Sequence, residues 1–239
     1  MSKNHAILVS ALLMLCYSVN AQESNKNPGK QKVMTESLLQ ASPTSLSYAI
    51  SAARKSFLSD RTTFADYVLV TRLLIQRGLT LVREQPDLAV HYTKVLIGPT
   101  YDLSAAIWPG WVDANPGAQQ FHAVGLELAQ LNLRLREQLS QGPSSVRRGH
   151  WLLAIHLIAD GNYQGAVNSF ERSLDLAKEG GEVQVSLMTQ GWIHVSNILA
   201  GSDERDALET VKARLKRMDK EGTFYASQYE PALEVFRTR

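Results

Sequence analysis

From residue 34 onward the apolar positions recur three or four apart, and no run alternates strictly between apolar and polar. The pattern predicts helices near 43–58 (Ala49, Ala52, Ala53, Leu58) and 62–84 (Phe64, Tyr67, Val68, Leu74, Leu81). Gln85-Pro86-Asp87 breaks it, and a shorter helix follows with Leu88, Ala89, Tyr92, Val95 and Leu96. Gly98-Pro99 is read as its end, with another short helix over Thr100 to Ile107. Residues 108–117 (WPGWVDANPG) read as a loop. A long helix near 117–140 follows, with Phe121, Val124, Leu128, Leu131, Leu135 and Leu139 on one stripe. Helices near 145–160, 163–178, 182–200, 203–219 and 224–237 complete the chain. Their short links at Asp160-Gly161-Asn162, Gly180-Gly181 and Gly201-Ser202 imply antiparallel neighbours.

The helix near 203–219 shows the underlying physics. Ser202 or Asp203 is expected to cap it, with Asp203, Glu204 and Asp206 at the positive end of its dipole. Lys212, Arg214, Lys216 and Arg217 lie toward the negative end, and Ala207, Leu208, Val211, Leu215 and Met218 form the expected buried face. These charges need no ligand to explain them.

The first 34 residues follow a different logic. Lys3 precedes an uncharged apolar run from Ala6 to Cys16, and Val19 and Ala21 supply the −3 and −1 positions of a cut after Ala21. That is the pattern of a secretory signal peptide over 1–21. The run is roughly half the ~20 residues a membrane span needs, so no stable membrane anchor is expected. Leu15 is too bulky to precede a lipid-modified Cys16, which favours free release. A mature chain of 218 residues would then carry a net charge of +1 instead of +2, and would contain no cysteine. Disulfides and thiolate chemistry drop out. Residues 22–34 are polar and broken by Pro28 and Gly29, and are read as a disordered leader. The expected location is secreted or periplasmic.

Residues 151–177 (WLLAIHLIADGNYQGAVNSFERSLDLA) resemble a tetratricopeptide repeat (TPR). Leu153 and Ala154 stand at the paired large and small positions of its first helix, and Leu157 where the family favours an aromatic. Gly161 and Tyr163 fall in the interhelical turn, and Ala166 and Phe170 at the small and aromatic positions of the second helix. Ser173 replaces the usual Ala, His150 the first aromatic and Lys178 the terminal Pro. The resemblance implies that Ala154 and Ala166 let helices touch, while Leu157 and Phe170 fill the gaps between pairs. A weaker unit follows, in which Ala207 lies 41 residues after Ala166, against a family period of about 34. The expected fold is all-α: antiparallel helix pairs stacked as a short TPR-like α-solenoid. Residues 35–142 form an irregular first half, and 143–239 the repeats with a C-terminal capping helix.

Composition narrows the function classes. With 44% hydrophobic and 20% charged residues the chain is ordinary globular material, and its charge is too balanced for nucleic acid. Arg147-Arg148 and the basic stretch 212–220 have acids nearby in sequence. His91, His122, His150, His156 and His194 do not pair at metal-binding helical spacing, and neither GxSxG nor GxxxxGK occurs. No catalytic residue, cofactor or metal is therefore expected. The local oddity is the loop Ile107 to Asp113, with Trp108 and Trp111 three apart between Pro and Gly. Its rings either plug the core or anchor a ligand. Trp108, which follows the apolar Ala105-Ala106-Ile107, is expected buried, and Trp111 nearer the surface. The leading expectation is an exported, non-catalytic scaffold that binds another protein or peptide on a concave helical face. The alternatives are a small-ligand binder using Tyr92, Trp108 and Trp111, and an enzyme centred on Asp113 and His122.

Overall fold

The computed structural model describes residues 42–111 and 113–237, and all the regular structure among these is helical, with no strand. The expected signal peptide and leader lie outside the described residues. The chain forms two compact units, one ending at Pro99 and the other beginning at Thr100.

In the first unit α1 (Pro43–Leu58) packs on α2 (Phe64–Glu84). Ser42 starts α1 with a reciprocal capping box to Ser45, and Pro43 takes the first-turn position that needs no donor. Thr63 caps α2 by accepting from the Asp66 N–H. Leu46, Ile50, Val68, Leu74, Ile75 and Leu81 are buried, whereas Leu58, at the last position of α1, and Leu88, both in the expected apolar pattern, are exposed. A 3-10 turn at Pro86–Leu88 leads into α3 (Ala89–Ile107). Gly98-Pro99 does not end this helix. Proline removes one backbone donor, and the Cβ that would clash with its ring is absent from Gly98, so the α conformation survives.

The second unit is built from α4 (His122–Gln138), α5 (Pro143–Ala159), α6 (Tyr163–Glu179), α7 (Val183–Leu199) and α8 (Arg205–Lys216), each packed on its successor. α9 (Lys220–Ser227) and α10 (Tyr229–Arg237) fold back onto α7. α5, α6 and α7 are 17 residues each, and Gly161, Gly181 and Gly201 recur twenty apart with positive φ. Each of these glycines closes the same Schellman-type end. For example, Gly161 N–H donates to Ile158 O and Asn162 N–H to Leu157 O. One helix and its turn thus repeat every twenty residues, because identical turns join helices of identical length.

Four boundaries differ from expectation. The stretch from 117 begins as a 3-10 turn at Ala118–Phe121 after left-handed Gly117, and only then becomes α4. The helix near 203–219 runs only from Arg205 to Lys216, which leaves Met218 exposed beyond its end. Neither Ser202 nor Asp203 caps it. Glu204 occupies the cap position, but its carboxylate is held by His194 Nδ1 at 2.6 Å and Asn197 Nδ2 at 2.8 Å. The expected helix 224–237 is two, α9 and α10, because Asp219 caps a new start by accepting from Gly222 N–H and the chain turns at Gln228.

Candidate binding cleft

The floor of the second unit is aromatic. Trp108 is fully buried and its indole N–H donates to Ile155 O at 2.7 Å. Trp111 is half-buried, donates to Ala105 O at 2.8 Å, and meets Trp108 edge-on at 4.8 Å. The loop that carries both rings lacks a hydrogen-bond ladder of its own, so these two bonds fix its path. Trp111 also stacks on Trp151 of α5 (6.0 Å, 23°), and Trp151 meets Trp192 of α7 edge-on at 6.2 Å.

Above these rings opens a cleft of about 370 Å³. Trp111, Trp151, Trp192, Tyr101, Phe224 and Tyr225 supply its aromatic surface, with Val185 and Met188 between them. Its polar groups are Arg136, Arg147, Arg148, Glu182, Glu221 and Gln228. Helices α4, α5, α7 and α9 and the end of α3 each contribute, so sites far apart in sequence meet here.

Electrostatics give the cleft its character. Arg147 pairs with Glu182 at 2.9 Å. Arg136 is buried and bonds only neutral oxygens, those of Asn132 Oδ1 (2.7 Å) and of Ser145 O and Oγ. It also lies over the Tyr101 ring at 5.6 Å. Burial, reinforced by the neighbouring guanidinium groups, pulls both Arg136 and Arg147 below the usual arginine value. Neither Arg136 nor Arg148 has a carboxylate partner among the described residues. Tyr225 donates to Glu221, and burial with this carboxylate pushes its phenol up to about 12. Three polar atoms on the cleft's residues have no hydrogen-bond partner among the described residues: Arg147 Nε, Trp151 Nε1 and Gln228 Oε1. These three residues are only 6%, 8% and 3% exposed. A buried donor or acceptor left unpaired costs on the order of 1–3 kcal/mol.

Family models, curated proteins and solved structures give no match to this chain.

The structure distributes the sequence-derived candidates unevenly. Trp111 lines the cleft and Trp108 lies beneath it. Tyr92 does not line it. That residue is buried in the first unit, where its hydroxyl donates to Gln85 Oε1 at 3.0 Å. Asp113 is exposed, and His122 pairs instead with Asp160 at 3.2 Å. Of the repeat positions, Ala154, Ala166 and Phe170 are fully buried, and Leu153, Leu157 and Tyr163 pack partly buried against the same core.

One arrangement was not foreseen. Ser104 Oγ lies 2.9 Å from His156 Nε2, both fully buried. Ser104 donates its proton to Gly125 O at 2.8 Å, and Nε2 also sits 3.0 Å from Ser104 O. Nε2 is therefore the protonated nitrogen, and it cannot take the serine's proton. Burial drops the His156 value to about 3. This pair serves packing.

The cleft's arginines were legible as charges but not as a cluster. The spacing of Arg147 and Trp151, one helical turn apart on α5, was the available signal. Among the described residues no group of His, Cys, Asp and Glu could hold a metal ion, and no helix is long and apolar enough to cross a membrane.

Proposed function

We propose that this chain is an exported, non-catalytic binding protein whose TPR-like helix pairs hold the cleft of the second unit as its binding site. The carrying observation is a ligand-sized cleft whose residues include three buried, unpartnered polar atoms. Concave sites of this size that combine aromatic and apolar side chains with placed polar groups are the usual form of small-ligand sites. The TPR-like reading rests on the small residues Ala154 and Ala166 and on Phe170, all fully buried in one core. Its departure is the twenty-residue helix unit, which makes a pair longer than the family's period of about 34. Binding is favoured over chemistry because no histidine lines the cleft and the buried Ser104 directs its proton away from His156.

A second reading keeps the scaffold role, with another protein or peptide on the helical surface. Phe224 favours it, because this cleft residue is 56% exposed, as an anchor for a partner would be. Native mass spectrometry of the protein isolated from its source cells separates the two. A bound small molecule, absent from a Val185→Trp variant that fills the cleft, supports the first. An empty cleft, with a protein captured by a photo-crosslinker at position 224, supports the second.

A further inference from the structure

We infer that the cleft takes a ligand that joins a flat apolar ring to an oxyanion of the carboxylate type, with a hydrogen-bond donor beside it. This rests on the cleft being the binding site.

Charge balance is the first ground. Three guanidinium groups face two carboxylates, Glu182 and Glu221. Both carboxylates are already engaged, Glu182 by Arg147 and Glu221 by the Tyr225 hydroxyl. Arg136 is buried against neutral oxygens alone, and a buried cation without a counter-ion is unfavourable. An incoming anion supplies that missing charge. An incoming cation finds both carboxylates engaged and meets three guanidinium groups that repel it.

The unpartnered atoms are the second ground. Arg147 Nε–H and Trp151 Nε1–H are donors and need an acceptor. Gln228 Oε1 is an acceptor and needs a donor. Planar guanidinium donors suit a two-oxygen anion, to which they bind in a forked geometry. The third ground is shape. Trp111, Trp151, Phe224 and Tyr225 all line the cleft, and this aromatic surface suits a flat apolar ring.

The test titrates the intact chain with four probes, followed by tryptophan fluorescence and calorimetry: phenylacetate, its neutral isostere phenylacetamide, 2-phenylethylamine and inorganic phosphate. Phenylacetate is expected to bind at least about tenfold tighter than the amide, the amine and phosphate, and to weaken with added salt. Arg148→Gln alters an exposed side chain and is expected to weaken phenylacetate several-fold without changing the melting temperature. Trp151→Phe keeps the ring but removes the donor, and is expected to narrow the gap between acid and amide. Equal binding of acid and amide, both abolished by Val185→Trp, would overturn the anion and leave the cleft as a site. Phosphate binding as tightly as phenylacetate would overturn the ring. Phenylacetate binding that Val185→Trp leaves untouched would remove the cleft itself. No binding of any probe up to about 10 mM would overturn the inference, because even a fragment-sized ligand gains measurable affinity in a matched pocket.

Discussion

Trp108 and Ile155 are joined by a 2.7 Å hydrogen bond across 47 positions of sequence, from the indole N–H to a backbone carbonyl of α5. The bond ties the Pro/Gly loop to the helix that floors the cleft, and the ring fills the space beneath Trp111. Trp108→Ala is expected to cost about 3–5 kcal/mol in chemical denaturation, through the cavity it leaves. Trp108→Phe fills most of that space but removes the bond, and is expected to cost about 1–2 kcal/mol. Equal stability of wild type and Trp108→Phe would show that the bond contributes nothing.

Ala166 is fully buried where α6 meets its neighbours, whereas Glu171 on the same helix is exposed. Ala166→Trp is expected to destabilise by about 1–3 kcal/mol or more. Glu171→Trp is expected to stay within about 0.5 kcal/mol of wild type. Thermal melts of the two variants side by side check the helix register.

Gly191 on α7 lies against the ring of Tyr229, and a Cβ there would enter the ring's space. Tyr229 is held in place, because its hydroxyl donates to Met188 O at 2.9 Å and its ring is fully buried. Gly191→Ala gains helix propensity of roughly 1 kcal/mol but must displace that ring, so a net loss of about 1–2 kcal/mol is expected. A more stable Gly191→Ala variant would show that α7 and α10 approach less closely.

His156 gives the fold a pH dependence with a defined sign. Its folded value lies near 3, against about 6.5 when unfolded, chiefly because burial penalises the charged ring. His122, stacked 6.5 Å away and paired with Asp160, is its titratable neighbour. Below pH 6.5 the unfolded chain binds a proton that the folded one refuses. Stability therefore falls by up to about 1.4 kcal/mol per unit as the pH drops toward 3. Denaturation at pH 7, 6, 5 and 4 is expected to show a shallower decline for His156→Gln than for wild type. Parallel declines would mean that His156 is solvated.

Export predicts a mature N-terminus at Gln22, since Val19 and Ala21 suit a leader peptidase. Intact-mass analysis of secreted or envelope material reads it directly, and a lipid-modified Cys16 would replace free release with anchoring.

The apolar spacing was enough to place the helices, because burial of one face imposes the 3.6-residue period whatever the partner. It also marked the glycine turns at 161, 181 and 201, since only left-handed backbone closes those ends without strain. Local chemistry misled at Gly98-Pro99, where the missing Cβ of glycine relieved the clash that usually ends a helix, and at Glu204, whose carboxylate found stronger partners in His194 and Asn197. The cleft was beyond the sequence for a different reason. Arg136, Arg147 and Trp192 sit on three different helices, and Gln228 lies at the turn between two more. In sequence Arg147 is one of two adjacent arginines with acids nearby, and nothing singles out Arg136, Trp192 or Gln228. Periodicity says which face of a helix is buried, but not which neighbour covers it. Only tertiary packing decided that a guanidinium would be buried without a carboxylate, and that Trp151 Nε1 and Gln228 Oε1 would lack a hydrogen-bond partner among the described residues.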